Sequence, residues 1–275
     1  MKYELFAFDL DGTLLDPSSR LPPTTLDFLN ILKAKAHFTL VTGRSLFSAR
    51  PYIEALRIEI PVVLYHGAVI FHPSEKRVLY EARLPSTVAQ KVLVVAQNFP
   101  VDIQLYRSVD DPCIYVRQIS PQIKEFVKKE GLPIRVISDW GKVVDENPLK
   151  LLLIGQAAVL LELREALKGL PATVVRSERN YLEVLPPGIS KGTGLVWLCE
   201  WLGIPLERVV AVGDQESDVS MFERVGLGVA MAHAPELVRR QAHIVISAIP
   251  ELQELLGAHS YSLMHVAGKK SGGER

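Results

Sequence analysis

Short, unbroken apolar runs alternate with segments of helical period at both ends of the chain. Leu5 to Phe8, Phe38 to Val41 and Val62 to Tyr65 are too short for helices, and their continuity predicts strands buried on both faces of a parallel sheet. Between them Leu26, Leu29 and Leu32 form the inward stripe of a helix over 24–36, started by Pro22-Pro23-Thr24, and a second helix is expected over 46–56. The pattern returns later as helix 192–201, strand 209–212, helix 219–225, strand 227–230 and strand 244–246. Repeated strand-helix-strand units predict an α/β core built on a parallel sheet.

The middle of the chain reads differently. Ala68 to Phe71 and Arg77 to Tyr80, separated by His72-Pro73-Ser74-Glu75-Lys76, form a predicted hairpin that leaves the sheet. From 83 to 185 follow helix 87–98, strands 101–106 and 114–116, helix 122–129, strands 135–137 and 150–154, helix 157–167, and strands 173–176 and 181–185. This predicts an α/β domain over 83–185 inserted into a core made of 1–82 and 186–257. Pro186-Pro187-Gly188, rigid and then permissive, is the expected hinge. Residues 258–275 read as a disordered tail.

Composition narrows the functional classes. A chain of 275 residues with 48% hydrophobic residues has material for a sizeable core. Its 31 basic and 31 acidic residues cancel, so no global field favours nucleic acid or an anionic membrane as partner. No apolar stretch reaches the roughly 18 to 20 residues of a membrane helix, and the amino terminus lacks a signal-peptide layout. Cys113 and Cys199 lie in no paired motif, which argues against zinc and disulfides and suits a reducing cytoplasm. Gly226-x-Gly228 lacks the third glycine of a dinucleotide fingerprint, Met231 standing in its place.

Chemistry enters at the ends of the apolar runs. Asp9-Leu10-Asp11-Gly12-Thr13 puts two carboxylates one residue apart after the first strand, where burial would penalise both unless a metal or a reaction used them. Side-chain alternation sends both to the same side, and Gly12 permits the turn. Thr42-Gly43-Arg44 follows the second strand, Ser190-Lys191-Gly192 opens a helix, and Gly213-Asp214 follows a later strand and leads to Asp218. In an open parallel sheet these positions converge where strand order reverses.

Together these residues resemble the four motifs of the haloacid dehalogenase superfamily. The long insertion between the second and third is similar to the C2-type (IIB) cap of its Cof-type phosphatases. The resemblance implies a Rossmann-like core with an inserted cap domain and a phosphoric monoester hydrolase dependent on Mg²⁺. It also implies that Asp9 and Asp214 hold the ion through carboxylates and Asp11 through its carbonyl, with Asp218 close behind. Three positions depart from the common pattern: Ser217, His66 and His233 stand where Asn is usual. His66 is read as a structural hydrogen-bonding residue and Glu216 as solvent-exposed.

Elementary chemistry assigns parallel roles. Asp9 is a competent nucleophile toward phosphorus, giving an aspartyl-phosphate, and Asp11 serves as general acid and base. That task expects the Asp11 pKa nearer neutrality than a free aspartate's, raised by neighbouring carboxylates. Gathered acids demand a divalent cation, with Asp9, Asp11, Asp214 and Asp218 as the metal set. Thr42, Gly43 and Lys191 are the expected phosphate donors. Arg44, Arg176, Asn180 and Glu183 are candidates for lining a cleft beneath the insertion. The expected substrate is a small phosphorylated metabolite, foremost a sugar phosphate. A phosphomutase on the same core, or a phosphoacceptor signalling or binding module, are the alternatives.

Overall fold

The computed structural model describes residues 2–257; the predicted tail, 258–275, lies outside the described residues. The chain opens with β1 (Leu5–Phe8), α1 (Pro23–Lys33), β2 (His37–Leu40), α2 (Leu46–Ala55) and β3 (Val62–Leu64), followed by the hairpin β4 (Val69–His72) and β5 (Arg77–Glu81). The middle supplies α3 (Ser86–Ala96), β6 (Asp102–Tyr106), β7 (Ile114–Val116), α4 (Pro121–Glu130), β8 (Ile134–Val136) and α5 (Gly141–Val144). It continues with β9 (Lys150–Ile154), α6 (Ala157–Ala166), β10 (Thr173–Glu178) and β11 (Tyr181–Leu185). The last part holds α7 (Lys191–Leu202), β12 (Val209–Gly213), α8 (Glu216–Phe222), β13 (Leu227–Met231), α9 (Glu236–Gln241), β14 (Ile244–Ile246) and α10 (Gln253–Gly257).

Five strands form a wholly parallel sheet in the order β14-β13-β12-β1-β2. The chain leaves β1 for β2 on one side and later fills β12 to β14 on the other, so strand order reverses at β1. The apolar run of β1 is buried throughout because both faces are covered: Phe6 and Phe8 enter one apolar cluster, Leu5 and Ala7 another. The antiparallel sheet β3-β4-β5 joins the edge beyond β2 through the parallel Val41–Val63 bridge and the Thr42 N–H, which donates to the Val63 carbonyl at 2.9 Å.

The middle strands build a separate six-stranded sheet, β10-β11-β9-β6-β7-β8, antiparallel except for β7 and β8. Alternation along β9 shows how it is held. Leu151 and Leu153 pack with Val88, Leu93 and Leu160 of α3 and α6, while Leu152 and Ile154 turn into the cluster that contains Phe6 and Phe8. One face of the inserted sheet therefore carries its own helices, and the other is continuous with the first layer's apolar core.

The short helices α5 and α9 were not expected, being too brief to show a stripe. α8 starts three residues before the predicted 219, because the Asp218 carboxylate accepts from the N–H groups of Asp214 and Gln215 and closes a turn ahead of the apolar pattern. α7 packs its glycines tightly: a Cβ on Gly194 would lie 2.6 Å from Val63 Cγ1 and 2.8 Å from Gly67 Cα. Alanine in a helix interior ordinarily gains about 1 kcal/mol over glycine. Here Gly194→Ala is expected to destabilise by about 1–3 kcal/mol through overpacking, and a denaturant titration showing any gain would contradict this packing.

Candidate active site

The four predicted motifs meet at the carboxyl ends of β1, β2 and β12 and the amino end of α7. Parallel pairing of Phe8 with Val212 and with Leu40 sets Asp9 level with Gly213 on one side and Val41 on the other. The Asp9 N–H continues the ladder onto the Val212 carbonyl at 2.9 Å. Lys191 is the first residue of α7, placed there by a Ser190–Thr193 capping box. From that position its buried ammonium donates to Asp9 Oδ1 at 2.6 Å and to Asp218 Oδ1 at 2.7 Å.

Asp9, Asp214 and Asp218 bring carboxylate oxygens within 4.8 Å of one another, all buried. Close backbone makes this possible. A Cβ on Gly213 would lie 2.3 Å from Asp218 Cγ, and one on Gly12, whose φ is +75°, would lie 2.5 Å from Asp214 Oδ2. Asp214 also accepts from Thr13 Oγ1 at 3.2 Å and Gln215 Nε2 at 2.6 Å. Asp218 is fully engaged, with Oδ2 on two backbone N–H groups and Oδ1 on Lys191, so it orients Asp214 and Lys191. Ser217 Oγ is buried beside them without a partner, and the exposed His233 sets Nε2 3.7 Å from Asp214 Oδ2. An all-oxygen acid cluster with one balancing lysine and an orphan hydroxyl suits a hard divalent cation.

A cavity of about 290 Å³ opens from this cluster, lined by Asp9, Asp11, Thr42, Gly43, Lys191 and Asp214 at its floor. Its walls come from the inserted sheet and α4: Tyr106, Phe126, Lys129, Glu130, Lys150, Leu152, Tyr181 and Glu183.

A profile of the haloacid dehalogenase-like hydrolase family matches residues 6–251. The chain belongs to that family. Among relatives, it is 26% identical over 246 residues to the 5-amino-6-(5-phospho-D-ribitylamino)uracil phosphatase YitU of Bacillus subtilis, covering 87% of this chain and 90% of that one. To the pyridoxal phosphate phosphatase YbhA of Escherichia coli it is 27% identical over 257 residues, 90% and 94% of the two chains. The solved subclass IIB sugar phosphatase BT4131 superposes with a TM-score of 0.79 over 92% of this chain and 99% of its own, at 20% identity, and so shares the fold. The expected superfamily, Cof-type resemblance and α/β parallel-sheet core are borne out.

The electrostatics of this hydrolase correct one expectation. Burial raises the Asp9 carboxyl well above the usual range despite Lys191, and raises Asp214 to about 6 with help from Asp218. Asp11 moves the other way. Burial would raise it, but the Arg44 guanidinium grips both its oxygens at 2.7 Å and, with Lys129 at 3.6 Å, brings its pKa below the ordinary value. The predicted upward shift of Asp11 is therefore wrong for this state, because a bidentate cation outweighs the neighbouring acids.

The candidates for the cleft divide. Arg44 is buried and spent on Asp11, on Ser48 Oγ at 2.8 Å and on Glu130 at 3.5 Å, leaving no free fork. Glu183 lines the cavity, 2.9 Å from Lys150 Nζ; burial works against its charge, yet Lys150 holds its carboxyl at about 2. Arg176 and Asn180 do not line the cavity, whereas Ser177, Glu178 and Arg179 do. A register shift between Arg176 and Glu178 turns consecutive residues inward and leaves Arg176 behind.

His66 is buried in the structural role expected, its backbone N–H donating to the Thr42 carbonyl at 3.0 Å and its ring set against Glu183. Nδ1 has no partner, Nε2 lies 3.3 Å from Glu183 Oε1, and burial lowers the imidazole pKa against the pull of Glu183. Glu216 is not freely exposed, since Arg164 of α6 pairs with it at 2.7 Å. Sequence reasoning missed Lys129, Glu130 and Lys150. The first two end an amphipathic helix where charge is ordinary, and Lys150 opens an apolar strand with no motif around it.

With Asp9 and Asp214 raised, the metal-free fold binds more protons than the unfolded chain above about pH 4, and their stabilising effect is lost as pH rises through their folded values, about 6 for Asp214 and well above the usual carboxylate range for Asp9. A bound cation replaces the protons. The gain in thermal midpoint on adding a divalent cation to EDTA-treated protein is therefore expected to be larger at about pH 7.5 than at about pH 5. His66 and Glu183 titrate alike in both samples, so an equal gain at the two pH values would contradict a cation site here.

Proposed function

We propose that this hydrolase is a Mg²⁺-dependent phosphatase that cleaves small phosphate monoesters through an aspartyl-phosphate on Asp9. One observation carries the reading: Lys191 joins Asp9 to Asp218 beside Asp214, and this cluster shares its cavity with Thr42 and Gly43. Asp9 Oδ1 is held by the lysine, which leaves Oδ2 as the nucleophilic oxygen. When bound by Asp9, Asp214 and the Asp11 carbonyl, the cation would screen the phosphate dianion and the acid cluster.

Asp9 attacks phosphorus as the ester oxygen departs, Asp11 gives that oxygen a proton, and Asp11 then takes a proton from the water that hydrolyses the aspartyl-phosphate. Thr42, Gly43 and Lys191 bind the equatorial oxygens. For Asp11 to carry a proton its clasp with Arg44 has to loosen, so Arg44 sets the charge state of the acid. The region 83–185 serves as the cap that excludes water and meets the leaving group.

Sugar phosphates fit the polar floor. The walls favour a second substrate class beside them, since Tyr106, Phe126 and Tyr181 with Leu152 offer aromatic surface to a planar ring. The names of YitU and YbhA, a uracil derivative and pyridoxal phosphate, support ring-bearing esters.

A panel of hexose phosphates, polyol phosphates and ring-bearing phosphate monoesters, assayed with Mg²⁺ and with EDTA, tests the reading. Phosphate release that requires the metal is expected, and Asp9→Asn is expected to abolish turnover with the thermal midpoint retained. Substantial release by that variant would refute the nucleophile. Arg44→Met removes the cation that depresses Asp11, so the basic limb of the kcat profile is expected to move to higher pH; an unmoved limb would separate Arg44 from the acid.

A further inference from the structure

A single peptide links the inserted sheet to the phosphate end of the cavity. Lys150, at the start of β9, is 3% exposed, and its Nζ donates to the Gly43 carbonyl at 2.9 Å. The same ammonium lies 2.9 Å from Glu183 Oε2 and 4.6 Å from the centre of the Tyr106 ring. The peptide that offers this carbonyl donates at its other end: the Arg44 N–H bonds to Thr42 Oγ1 at 3.2 Å. A hydroxyl that accepts on one side keeps its proton for a partner on another. The His66 ring packs directly on this turn, so that a Cβ on Gly43 would lie 2.1 Å from His66 Nε2.

We infer that Lys150 is a positioning residue: by holding the Gly43–Arg44 peptide it aims the Thr42 hydroxyl at the phosphoryl group, completing the phosphate subsite when the inserted sheet is seated on the turn. The inference rests on the phosphatase reading. It differs from two plainer roles for this lysine, neutralising Glu183 or touching the alcohol portion of the substrate. Both place Lys150 in the cavity wall, but neither routes through Thr42.

The test compares wild type, Lys150→Met, Glu183→Gln and the double variant on p-nitrophenyl phosphate and glycerol phosphate, with inorganic phosphate as competitive inhibitor. Lys150→Met is expected to lower kcat/KM by about tenfold or more, by a similar factor for both esters, and to raise the inhibition constant of phosphate. The double variant leaves no buried charge unpaired, so it is expected to keep a wild-type thermal midpoint and yet retain the loss. Recovery of activity in the double variant would overturn the inference in favour of charge balance. A loss confined to one ester, or an unchanged phosphate constant, would overturn it in favour of leaving-group contact. A wild-type protein that hydrolyses neither ester and binds no phosphate would bring down the phosphatase reading, and the inference with it.

Discussion

Three carboxylates cannot share a buried volume without compensation. Desolvation and mutual repulsion both oppose their charge, and in this fold the compensation is one lysine at the first turn of α7. The parallel register of β1 with β12 delivers Asp9 and Asp214 to the same level, Gly213 and Gly12 give the backbone clearance, and the Asp218 carboxylate caps the turn that leads into α8. Lys191 then ties Asp9 to Asp218 across elements far apart in the chain. Three acids face one lysine, and burial first, then repulsion among the acids, raises the carboxyls of Asp9 and Asp214. A site with that surplus is poised for a cation.

The inserted sheet meets this site through polar contacts set in apolar surroundings. Glu130 reaches Arg44, Lys129 reaches Asp11, and Lys150 reaches the Gly43 carbonyl, while Leu152, Phe126 and Tyr106 extend the apolar cluster of the first layer. A buried ion pair such as Arg44–Glu130 adds little net stability over apolar packing, although removing one partner costs about 3–5 kcal/mol. Their value lies in direction. An apolar contact alone would tolerate sliding of one layer over the other, whereas the Lys150 and Arg44 contacts are met at one placement. The same contacts explain why Asp11 is held as an anion here: its partner Arg44 is anchored from the insertion side by Glu130.

Much of this molecule was legible in its residues. Buried parallel strands must be continuously apolar because both faces are covered, so β1, β2, β12 and β13 announced themselves, and acids and a Thr-Gly turn at their ends pointed to chemistry by their combination rather than singly. Asp9, Thr42 and Asp214 at strand ends, with Lys191 at a helix start, were singled out in combination, and the fold brings them to one cavity. Period and continuity did not reveal α5 or α9, which are too short to repeat, or the early start of α8, which depends on a carboxylate rather than a stripe.

Tertiary structure alone decided what faces the cavity from the insertion. A lysine opening an apolar strand, or a Lys-Glu pair closing an amphipathic helix, has the sequence signature of solvated charge, and only the packing of β9 and α4 over the turn at Thr42 makes Lys150, Lys129 and Glu130 part of the site. It likewise turned Arg176 away from the cavity by one irregular step in β10 and gave Asp11 a depressed rather than an elevated pKa. Local pattern determines which residues are buried in a strand or helix, because periodicity is a property of neighbours. Which charge meets which across the molecule depends on distances that no neighbouring residue records.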